Sequence, residues 1–140
     1  MRFTKQLGCL GILCAALTAC DMKGLNAAQA LQRRLAEIAG QANGAAPAVI
    51  DPDTRLDGAK AGPGLRLAIM YTLVNAEANG VDGTTFEAKL TPNIVNASCT
   101  NPDLRAVIDQ GVVVVLEYRG KQGNLIGTVN INRATCGALK

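Results

Sequence analysis

Histidine and tryptophan are absent from the 140 residues, and aromatic side chains make up only 3% of them. Without histidine the chain lacks the commonest general base, the Ser-His-Asp arrangement and the usual imidazole ligands of zinc. Paired carboxylates could replace them, but the 11 acidic residues are scattered and no spacing selects a pair. Asp51 and Asp53 flank Pro52 and read as turn residues bonding their own backbone. A glycine-rich phosphate loop followed by Lys-Ser or Lys-Thr is missing, as is a nucleophile elbow. The expectation is therefore a non-enzyme with no catalytic residues, no metal site and no cofactor. Tyr71, Phe86 and Tyr118 are too few to form a stacking platform for bases, and the basic residues are dispersed, so nucleic acid is not an expected partner. No apolar run reaches the roughly 20 residues that span a bilayer.

The apolar run that is present lies at the start. Arg2 and Lys5 precede Leu7 to Ala16, the pattern of a secretory signal. It ends in Leu17-Thr18-Ala19-Cys20, which resembles the lipobox of bacterial lipoproteins: a branched apolar residue, two small residues, then the cysteine that is acylated. Residues 1–19 are thus expected to be cleaved and Cys20 to be lipidated. Two or more acyl chains hold a protein firmly at a membrane surface, so the mature chain should be anchored rather than spanning. Removing Arg2 and Lys5 lowers the net charge from +3 to +1. About 120 residues remain, enough for one domain with a modest core. The expected location is the bacterial cell envelope, facing the periplasm. The outer membrane is the first expectation, and Asp21 leaves the inner membrane open, because in enterobacteria an aspartate there resembles an inner-membrane retention signal.

Cys9 and Cys14 leave with the signal and Cys20 is taken by lipid, which leaves Cys99 and Cys136 as an even pair in an oxidising compartment. A disulfide between them is the natural reading; in the chain-entropy account it contributes roughly 4 kcal/mol. With no histidine and no Cys-x-x-Cys, metal and redox readings have little to stand on.

Along the mature chain, Leu25, Ala28, Leu31, Leu35 and Ile38 mark one face of a helix, with Arg33 and Glu37 as a solvent-side pair and Gly40 as a stop. Gln41 to Pro47 reads as a flexible link. Residues 20–47 are accordingly expected to be a lipidated tether with an amphipathic helix, and residues 48–140 an α+β domain. Within that domain Thr54 to Ala61 is a first strand and Leu65 to Val74 a clear alternating one. Thr85 caps a helix, and Thr91-Pro92 restarts a second short helical turn. Asn101-Pro102 opens another helix that Gly111 ends. The apolar run Val112 to Leu116 then marks a central strand ending at Arg119, and Leu125 to Asn132 returns antiparallel to it. The expected fold is α+β, a small antiparallel sheet of four to five strands with helices packed on it and one disulfide.

The run Cys99-Thr100-Asn101-Pro102-Asp103-Leu104-Arg105, followed by Ile108, Gly111, Tyr118, Gly123 and Cys136, resembles the small lipoprotein pilotins of type II secretion systems, in the group with a mixed helix and sheet fold and one disulfide. The resemblance covers most of the region from Ala48 to Lys140. It implies a binding module that takes the C-terminal helix of a secretin subunit and escorts it to its membrane, with the acyl anchor at Cys20 and the Cys99 and Cys136 pair carried over. It identifies no partner-binding residues. A second class stays open: an envelope lipoprotein of structural or inhibitor type, binding for example a cell-wall hydrolase.

Overall fold

A computed structural model describes residues 19–139. The signal peptide expected over residues 1–19 lies outside them but for Ala19, and Cys20 enters only as a backbone position. The elements in order are α1 (Ala19–Ala45), β1 (Ala48–Asp51), β2 (Thr54–Ala61), β3 (Arg66–Leu73), a short 3-10 turn (Ala78–Gly80), α2 (Gly83–Thr100), α3 (Pro102–Ile108), β4 (Val113–Gly120), β5 (Leu125–Ile131) and α4 (Arg133–Gly137).

The five strands form one sheet in the order β1-β2-β3-β4-β5. The α+β class and the strand number agree with the sequence, but the sheet is mixed rather than antiparallel throughout: β3 and β4 run parallel, pairing Leu67 with Val114 and Ile69 with Leu116. The cause is the connection, since the chain between them forms α2 and α3 and crosses over, as parallel neighbours require. The hairpin β4–β5 is antiparallel, with Leu116 opposite Val129.

Alternation sends Leu67 and Ile69 of β3, Val114 and Leu116 of β4, and Val129 and Ile131 of β5 to one face. There they join Leu31, Leu35 and Ala39 of α1, Val95 and Cys99 of α2, and Val107 and Ile108 of α3 in a single core. Leu35, Leu67, Val107, Ile108, Val112, Val114 and Ile131 are fully buried. The other face carries Arg66, Glu117 and Arg119, with Glu117 3.1 Å from the guanidinium of Arg119.

Helix α1 continues through Gly40 to Ala45, so the expected link at Gln41 to Pro47 is mostly helix. Its tail is held by Asn43, whose side-chain amide accepts from the backbone N–H of Ala59 at 2.8 Å and donates to the Ala59 carbonyl at 2.9 Å. β1 pairs with β2 only from Thr54 to Leu56, so Asn43 stands where a neighbouring strand residue would otherwise bond. The expected Arg33–Glu37 pair is displaced by one position: Arg34 makes the ion pairs, to Glu37 at 3.4 Å and to Asp103 at 2.7 Å. The second of these ties α1 to the start of α3 across the surface.

Candidate functional site

An apolar cleft of about 450 Å³ lies between α2 and α4. Its first wall is α2. Asp82 caps this helix, accepting from the N–H of Thr84, and the Thr85 hydroxyl bonded to its carboxylate holds the Asp82 acid below the usual carboxylate range. The cap is thus three residues earlier than the Thr85 that the sequence pointed to. α2 also runs unbroken through Pro92, where the sequence pointed to a restart. Tertiary anchors explain its continuity. Gly83 sits so close to the Ile126 carbonyl that an added Cβ would lie 2.5 Å from that oxygen, Glu87 accepts from the N–H of Thr128 at 2.7 Å, and Phe86 meets Tyr118 edge-on at 5.3 Å.

From α2 the cleft receives Ala88, Thr91, Pro92 and Val95. Pro92 has no N–H, so the carbonyl of Ala88 loses its ordinary helical donor. The Thr91 hydroxyl is occupied, donating to the Glu87 carbonyl at 2.6 Å, so its methyl is what remains to line a surface.

The second wall is α4 with the residues after it, contributing Thr135, Ala138 and Leu139. α4 begins directly after β5 through a reciprocal cap: the Asn132 side chain accepts from the N–H of Thr135 at 3.0 Å, while the Asn132 N–H donates to the Thr135 hydroxyl at 2.7 Å. The hydroxyls of both threonines are therefore satisfied locally, and a wall that contains two polar residues presents carbon. Arg133 donates to the carbonyl of Asp109, fixing the outer side of α4 to the end of α3.

Cys99 of α2 and Cys136 of α4 are joined by a disulfide with Cα atoms 5.5 Å apart, both cysteines buried. It lies one turn beyond Val95 on the first wall and next to Thr135 on the second, so it fastens the two sides of the cleft. Sequence reasoning pointed to the pair but not to what it frames. Helix α4 is too short for periodicity, and its one legible signal was Asn132 followed three residues later by Thr135.

A smaller hollow of about 290 Å³ lies at the start of α2, bordered by Gly80, Asp82, Phe86 and Lys89. Between α1 and α2 the face of β3 and β4 carries stacked Tyr71 and Tyr118 rings, with centroids 5.2 Å apart. Burial pushes the hydroxyls of both above the usual tyrosine range. Among the described residues no group of three or more cysteine, aspartate or glutamate side chains gathers where a metal could be held, and no helix is long and apolar enough to cross a membrane.

No protein-family model matches the chain, and no curated protein matches it in sequence. Solved structures do match in fold. The pilotin EpsS of the Vibrio vulnificus type 2 secretion system is 19% identical, with a TM-score of 0.62 over 78% of this chain and 94% of its own. The type II secretion pilotin AspS of Vibrio cholerae is 17% identical, with a TM-score of 0.61 over 81% of this chain and 98% of its own. A protein of Pseudomonas aeruginosa described as secreted is 15% identical, with a TM-score of 0.67 over 78% of this chain and 95% of its own. The chain is built on the fold of the type II secretion pilotins.

Proposed function

We propose that this chain is a pilotin-like binding module of the bacterial cell envelope, lipid-anchored through Cys20 and facing the periplasm, which takes the C-terminal helix of a secretin in the cleft between α2 and α4. The observation that carries the reading is the agreement in fold with two pilotins, over nearly the whole of both. The cleft adds a fitting surface. A groove bordered by aliphatic carbon and small side chains accepts the apolar face of an amphipathic helix, whose anchors recur every three or four residues. Thr91 and Thr135 keep their hydroxyls bonded within their own helices, so docking an apolar anchor against them strands no donor.

The anchor end fits the same reading. Residues Gly24 to Ala30 of α1 are exposed, and Leu31 is the first buried residue from Gly24 onward. From Cys20 to Leu31 a helix rises roughly 16 Å, a spacer that would hold the body clear of lipid headgroups. Residues 20–47 thus combine tether and core helix, with 48–140 as the sheet-bearing part. The outer membrane is the proposed location.

Calorimetric titration of the full chain in mild detergent, with a synthetic peptide of the host secretin's C-terminal helix and a scrambled control, tests this. The expected result is saturable binding at micromolar Kd or tighter, about −8 kcal/mol or better, with no heat from the control. Absence of heat from both peptides would overturn it.

A further inference from the structure

We propose that the Cys99–Cys136 disulfide, beyond its share in stability, is a positioning element of the cleft, so that the partner helix is held only by the oxidised protein. This rests on the reading of the cleft as the seat of that helix.

The two walls are anchored very differently. α2 is fixed to the sheet without the disulfide, by Glu87 on Thr128, by Gly83 on the Ile126 carbonyl and by Phe86 on Tyr118, while Val95 enters the main core. α4 has five residues and packs chiefly on α2. Its start is pinned, because Asn132 follows Ile131 of β5 at once and carries the reciprocal cap. A cap fixes where a short helix begins but leaves its direction about that pivot free. Direction is set by Cys136 in its fourth position and by the Arg133 contact to the exposed Asp109 segment. An isolated five-residue helix has no stability of its own in water, so losing the bond releases the segment that delivers Ala138 and Leu139 to the cleft. Most of the core lies outside α4: among the described residues Cys136 is the one α4 residue in the buried cluster, whereas the fully buried Leu35, Leu67, Val107, Val114 and Ile131 come from α1, β3, α3, β4 and β5. In an exported protein the bond forms only in the oxidising compartment, which would confine partner capture to the place where the partner is needed.

The test uses the full chain in mild detergent in three states: oxidised, reduced, and reoxidised. In reduction a dithiol converts the bond to two thiols and is itself oxidised to a cyclic disulfide. The double variant Cys99→Ala/Cys136→Ala serves as an independent reduced-state mimic. Hydrogen exchange is followed at residues 133–138 and in β3 to β5, and affinity is measured for the secretin-tail peptide. Expected are at least tenfold faster exchange in 133–138, sheet protection retained, at least tenfold weaker peptide binding, and recovery of both on reoxidation. Equal exchange in 133–138 before and after reduction, loss of sheet protection along with α4, or undiminished binding by the reduced protein would overturn the inference. If the oxidised chain binds no peptide, the secretin reading falls by itself. Exchange then decides the positioning role by itself, and the partner-binding part falls with the secretin reading: selective loosening of 133–138 upholds the positioning role, and uniform change or none overturns it.

Discussion

Two side chains on helices, Asn43 and Glu87, complete the hydrogen bonding of sheet edges that would otherwise be open. Asn43 satisfies both backbone groups of Ala59 where β1 has ended, and Glu87 accepts from the N–H of Thr128 on β5. The glycines opposite them are dictated by that proximity. A Cβ on Gly58 would lie 2.5 Å from the Asn43 side-chain oxygen, and one on Gly127 would lie 2.8 Å from a Glu87 carboxylate oxygen. Unpaired strand edges are templates for association, and these side chains remove that opportunity. Glu87→Ala leaves the Thr128 N–H without its partner and bares the β5 edge. Its expected cost is about 1–3 kcal/mol of unfolding free energy by urea denaturation, accompanied by concentration-dependent association in sedimentation. Glu87→Gln keeps an acceptor oxygen and should lose less. A Glu87→Ala protein as stable and as monomeric as the parent would contradict this role.

At the scale of elements, α2 bears most on function, and Pro92 is its odd residue. Proline inside a helix removes one bond of the ladder and crowds the preceding turn, at about 3 kcal/mol in an unsupported helix. Here both halves are held from outside, the first on β5 through Glu87 and the second through Val95 in the core, and the ring of Pro92 lines the cleft. Pro92→Ala is expected to stabilise the protein by about 1–3 kcal/mol in thermal unfolding while weakening the secretin-tail peptide roughly fivefold through lost apolar contact. Gain of stability with unchanged affinity would remove Pro92 from the site. The same residue explains one limit of the sequence. Thr91-Pro92 is an ordinary helix-start signal, and only the tertiary anchors on either side keep α2 continuous. Gly40 misleads for the same reason, because Asn43 and the packing of Ala39 carry α1 past it. By contrast the Asn101-Pro102 start of α3 and the β4–β5 hairpin rest on local chemistry and were legible. Asn101 accepts from the N–H groups of Asp103 and Leu104, as an N-cap should.

For the whole molecule, the decisive feature is a crossover that the chain cannot announce locally. Leu65 to Val74 and Val112 to Leu116 read as strands from their side chains, yet their parallel pairing depends on where α2 and α3 come to lie. That crossover sets α2 against β5, while α1, which precedes β1, lies over β2. It also brings Cys99 of α2 and Cys136 of α4 together. The two cysteines were legible from arithmetic, whereas the cleft they frame was not, because Ala138 and Leu139 have no signature until α4 is in place. Lipid at one end of α1 and a partner seat beside α2, toward the β5 edge of the same helical layer, would give the molecule two separate attachments, one to membrane and one to protein. The measurement that tests this most directly is amide NMR shift mapping of the oxidised full chain in detergent micelles, titrated with the secretin-tail peptide. The account predicts saturable shifts concentrated at Ala88, Thr91, Val95, Thr135, Ala138 and Leu139. Saturable shifts confined to β1 or to the Tyr71 and Tyr118 face, with the α2–α4 residues unmoved, would contradict it.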